Sequence, residues 1–117
     1  MYICMNYYGR NISPRFDIPF DARCAGNNVY FDNYGNLYLR LEGDPYAHPY
    51  RTDFGEIYQL GNIRIHYDDY RCAYEIGGYR VHHRDDNQLI YEINGIRIYY
   101  DDYGHPYEIG NCRLRYY

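Results

Sequence analysis

The chain has 117 residues, enough for one domain but not two, with 20 Tyr, 12 basic residues that are all Arg, and a net charge of -4. That balance argues against non-specific nucleic-acid binding, which needs basic excess, although Arg113 and Arg115 form a local basic patch. No apolar stretch approaches membrane-spanning length and no basic start precedes an apolar run, so the sequence reads as soluble, without a cleaved signal, and cytoplasmic by preference.

Residues 1–57 read as an irregular N-terminal half of degenerate hairpins and proline-containing loops within a single domain spanning 1–117. Asn6-Tyr7-Tyr8-Gly9 and Thr52-Asp53-Phe54-Gly55 read as turns, and Val29 to Tyr38 aligns without gaps on Ile98 to Tyr107. Arg10 to Asn27 carries Pro14 and Pro19, and Gly43 to Pro49 carries Pro45; proline cannot donate to a ladder, so these are loops or edge segments. Cys4, Cys24, Cys72 and Cys112 lack any CxxC spacing and read as free, partly buried thiols.

Residues 58–117 repeat. Tyr58-Gln59-Leu60-Gly61-Asn62-Ile63-Arg64-Ile65 returns from Tyr74, Tyr91 and Tyr107, at intervals of 16, 17 and 16. Gly-Asn, Gly-Gly and Asn-Gly supply the positive φ angles of two-residue hairpin turns, and Asp101-Asp102-Tyr103-Gly104 is the clearest turn between units. The expected fold is all-β: an antiparallel meander of hairpins with a repeat of about 16 residues.

Pairing about Asn94-Gly95 sets Ile93 against Ile96 and Glu92 against Arg97, and the next turn sets Arg97 against Glu108 and Ile98 against Tyr107. Carried along, this predicts a continuous ladder on a wet face: Gln59, Arg64, Glu75, Arg80, Glu92, Arg97, Glu108, Arg113. The opposite, dry face collects Tyr58, Tyr74, Tyr91 and Tyr107 with the aliphatic residues. So broad an apolar face needs a cover: the sheet curls on itself, or packs against its own N-terminal half or another copy.

Candidate chemistry is sparse. Asp68-Asp69, Asp85-Asp86 and Asp101-Asp102 fall at corresponding turns, where aspartate starts a turn and keeps an edge soluble; neighbouring pairs lie about 10 Å apart, too far to share a calcium ion. His66 and His82 are expected on the polar face in the row Ile57, His66, Ala73, His82, Ile90, Tyr99, which offers no third metal ligand. No catalytic residue, metal site or cofactor is expected. Tyr34, Phe54, Tyr70 and Tyr103 occupy equivalent turn positions, where rings could stack on a glycan or a cationic ligand, or fold back over their own strands.

The unit Tyr99-Tyr100-Asp101-Asp102-Tyr103-Gly104-His105-Pro106-Tyr107-Glu108-Ile109-Gly110 resembles the tyrosine–aspartate (YD) repeats of Rhs-type proteins, over about half of the chain. The resemblance implies a β-strip that coils or encloses, serving as structure, shell or adhesion surface, and carries over no catalytic residue. The expected function is a non-catalytic structural or protein-interaction module that self-associates or joins a larger assembly. The alternative is a repeat ligand-binding module using the turn-tip rings.

Overall fold

The computed structural model describes residues 1–114 and is all-β, with no helix among them; Arg115 of the basic patch lies outside the described residues. In the N-terminal half, β1 (Tyr2–Asn6), β2 (Ser13–Arg15), β3 (Arg23–Gly26), β4 (Val29–Phe31) and β5 (Asn36–Arg40) form an antiparallel sheet in the order β2-β1-β5-β4-β3. Pro14 lies in β2, an edge strand, where its missing N–H is tolerated.

A second sheet has nine strands in sequence order. It begins with β6 (Pro49–Arg51), β7 (Ile57–Leu60), β8 (Ile63–Tyr67), β9 (Ala73–Ile76) and β10 (Tyr79–His83). It continues through β11 (Ile90–Ile93), β12 (Ile96–Tyr100), β13 (Pro106–Ile109) and β14 (Cys112–Arg113). Every connection is a hairpin, so this sheet is the expected meander. Its two-residue turns use left-handed backbone, as at Asn94 (φ 49) and Gly95 (φ 80).

Inside each hairpin the register is as predicted: Gln59 faces Arg64, Glu75 faces Arg80, Glu92 faces Arg97 and Glu108 faces Arg113. Between hairpins it is not. Glu75 faces His66, Glu92 faces His82 and Glu108 faces Tyr99, so the continuous ladder breaks into separate pairs. Ile98 faces Ile109 rather than Tyr107.

The partner of Glu108 moves two residues along β12: one because the loop is a residue longer than expected and pairs Tyr100 with Pro106, and one because a β-bulge follows it, as in each repeat. Two residues, Tyr74 and Glu75, oppose the single residue His66, and Tyr58, Tyr91 and Tyr107 are the extra residues at the other three sites. An inserted residue reverses the alternation beyond it. The bulged tyrosines therefore leave the dry face, where they were expected, and Ile57, Ala73, Ile90 and Pro106 enter it. Ile57, Ala73 and Ile90, expected on the polar face, belong instead to the core.

The cover for the dry face is the N-terminal sheet. Ile3, Met5, Phe31, Leu37 and Leu39 share one buried cluster with Ile76, Ile90, Ile93 and Ile109. Each such side chain contributes about 1.5–3 kcal/mol on full burial. The bulges also supply the docking points: Ala73 N–H donates to Gly9 O and Ile90 N–H to Tyr7 O, both at 2.9 Å. At the equivalent place in the last repeat stands Pro106, which has no N–H to satisfy. The far edges meet too, where Arg23 Nη2 donates to Arg113 O at 3.1 Å and Cys112 Sγ lies 3.5 Å from Cys24 O.

Candidate functional site

One turn is built five times from different residues. Asn6 Oδ1, Asp32 Oδ1, Thr52 Oγ1, Asp68 Oδ1 and Asp101 Oδ1 each accept the backbone N–H groups two and four residues ahead. A short side-chain oxygen at the first position thus closes the loop on itself. The fourth position is left-handed: Gly9, Gly35, Gly55, Arg71 and Gly104. The Asp85-Asp86 turn differs. It is one residue longer, closed by Arg84 N–H to Leu89 O at 2.8 Å with Gln88 left-handed, which accounts for the 17-residue interval and removes its aspartates from correspondence with the others.

The third position of each clamp carries an aromatic ring. Tyr34, Phe54, Tyr70 and Tyr103 are 82%, 70%, 63% and 86% exposed, so they stand out from the turns rather than folding over their strands. Tyr8 holds the same position in the Asn6 turn. The rings do not gather into one patch. Phe54 and Tyr70 share a cleft of about 450 Å³ with Arg10, Glu56 and Arg71, while Tyr34 borders another of about 350 Å³ with Tyr8 and His105.

No family model, curated protein or solved structure matches this chain.

On the outer face of the nine-stranded sheet, each bulged tyrosine packs its ring, tilted by 31–45°, against the single residue that opposes it. Ring centroids are 5.9 Å apart for His66–Tyr74 and His82–Tyr91, and 6.3 Å for Tyr50–Tyr58 and Tyr99–Tyr107. Beside them run the surviving charge pairs, with Glu92 lying 3.4 Å from Arg97 and 3.8 Å from His82, and Glu108 3.6 Å from Arg113. Arg64, Glu75 and Arg80 lie on the same face. The apolar–x–x–apolar spacing of Ile57-Tyr58-Gln59-Leu60 and its three copies cannot alternate in and out, and is the sequence signal that marks this surface.

Bulges strand backbone carbonyls, and side chains satisfy them. Tyr67 Oη donates to Ile57 O at 2.7 Å and Tyr100 Oη to Ile90 O at 2.6 Å. His83 takes this place in the middle repeat, with Nε2 2.7 Å from Ala73 O and Nδ1 2.8 Å from Gln88 O. His83 is therefore a structural tie, whereas His66 and His82 pack against the bulged tyrosines.

Burial pushes the Cys4 and Cys72 thiols up, away from the reactive thiolate; Arg10 opposes the shift at Cys72 and Arg15 at Cys4 without reversing it. Among the described residues, no three His, Cys, Asp or Glu side chains gather as a metal-binding group.

Proposed function

We propose that this protein is a non-catalytic interaction module, a two-sheet scaffold that presents aromatic rings from a repeated turn to a protein partner or to further copies of itself. The observation that carries the reading is the position of Tyr34, Phe54, Tyr70 and Tyr103: large apolar rings held in solvent by backbone whose hydrogen bonds are closed locally. An exposed, pre-ordered ring loses little conformational freedom on contact, which is why tyrosine is enriched at interfaces. The N-terminal sheet already covers the dry face, so partners are left the tips and the outer face. The resemblance to YD repeats points toward shell and adhesion roles.

Light scattering tests the assembly reading. A mass above that of one chain, returning to one chain in Tyr34→Ala/Tyr103→Ala, supports tip-mediated self-association; a single-chain mass throughout overturns it. Glycan recognition uses the same exposed rings, and array binding lost in Tyr103→Ala would favour it.

A further inference from the structure

The cleft between the Thr52 and Asp68 turns is set apart from the other four-residue clamps by its backbone. Four of the five clamps place glycine at the left-handed position; the Asp68 clamp places Arg71 there, at φ 64. A branched-free but bulky L residue in that region is strained, and such strain persists where the surroundings hold it, commonly at ligand sites. On the facing wall Asn11 is left-handed as well, at φ 58.

Arg71 is held in place by its neighbours. Its Nε lies 3.3 Å from Glu56 Oε1, and its guanidinium sits 4.2 Å from the centre of the Phe54 ring. Arg10 is anchored at the other side, with Nη2 donating to Tyr70 O at 3.1 Å. Each of these hydrogen-bonding contacts engages one of the five N–H groups of an arginine. Two guanidiniums line the cleft against the single carboxylate of Glu56, so its walls carry an excess of positive charge. Its volume, about 450 Å³, falls within the range of small-molecule sites.

We propose that this cleft binds a flat ring bearing an oxyanion, a carboxylate, phosphate or sulfate, with the anion held by Arg10 and Arg71 and the ring seated against Phe54 and Tyr70. Planar, anchored guanidiniums suit bidentate contact with an oxyanion, and the two exposed rings supply an apolar wall for the body of the ligand. The inference deepens the tip-ring reading at two of its four positions, and it rests on that reading for the exposure of Phe54 and Tyr70.

The test is a calorimetric titration of the full chain with phenyl phosphate, benzoate, inorganic phosphate and phenol. Phenyl phosphate and benzoate should bind, more weakly as salt is raised, and at least about tenfold more tightly than phenol. Arg71→Gly should lose at least about tenfold in affinity while melting no lower than the parent, because glycine relieves the left-handed strain. Arg10→Gln should lose affinity with the melting temperature unchanged. No binding of either ring-bearing anion, inorganic phosphate binding as well as phenyl phosphate, or unaltered affinity in Arg71→Gly would each overturn the proposal. A single-chain mass in light scattering defeats only the assembly reading, and the titration stands apart from it.

Discussion

The Tyr100 hydroxyl donates to the carbonyl of Ile90 at 2.6 Å, closing the polar gap that the Tyr91 bulge opens in the sheet. The same tie joins Tyr67 to Ile57 ten residues apart. Replacing Tyr100 or Tyr67 by Phe keeps the ring and strands the carbonyl, so each variant should lose about 1–3 kcal/mol. Urea unfolding with an unchanged slope and a lower midpoint is the expected result. Equal midpoints would mean that water satisfies these carbonyls.

Gly110 and Gly78 separate two costs of a side chain at a hairpin turn. Both are left-handed, at φ 59 and 90, but a Cβ on Gly110 would lie 2.8 Å from Ala25 O whereas one on Gly78 would meet nothing within 4 Å. Gly78→Ala should therefore cost about 1–2 kcal/mol, the backbone strain alone. Gly110→Ala should cost clearly more and loosen the contact between β14 and β3, read as faster amide exchange in Arg23–Gly26.

Alkaline pH should weaken the fold. Burial, then the hydrogen bond to Asp32, raises the Tyr38 hydroxyl above its ordinary value; burial, then Glu56, raises Tyr67. The unfolded chain loses these protons from about pH 10 while the folded chain keeps them. The unfolded state then binds fewer protons, so the stabilisation is complete below about pH 10 and falls as pH rises above it. Denaturant midpoints measured across that range should decline, and Tyr38→Phe should flatten the decline.

The broken ladder predicts small electrostatic effects. Arg97 is 59% exposed beside Glu92, a setting in which ion pairs contribute about 0–1 kcal/mol. Glu92→Gln should thus shift the thermal midpoint little, and the shift should vanish at high salt. A loss several times larger would indicate that Glu92 stabilises the sheet through His82 as well as through Arg97.

The hairpins were legible because their chemistry is local. Asn94-Gly95 requires positive φ, and cross-strand pairs such as Glu92 and Arg97 follow from counting outward from that turn. Proline segments near Pro14 and Pro49 announced edges for the same reason. The turn-tip rings could be found by alignment, since Phe54 and Tyr103 share a place in one clamp; the charged cleft could not, because it joins Arg10 to Arg71 across distant turns.

Strict alternation misassigned which residue of each Ile-Tyr, Ala-Tyr or Pro-Tyr pair turns inward, although the apolar–x–x–apolar spacing is at odds with alternation. Strict alternation puts Tyr74 inside, and a bulge puts Ala73 there; both readings preserve the hairpin. The choice depends on atoms from the other half of the chain. Gly9 O receives the Ala73 N–H and Tyr7 O the Ile90 N–H, groups that a bulged strand offers sideways. Local residues determined strands, turns and the pairs across them. Docking of the N-terminal sheet decided the faces, because only there do the bulged N–H groups find acceptors and the small or aliphatic side chains find a core.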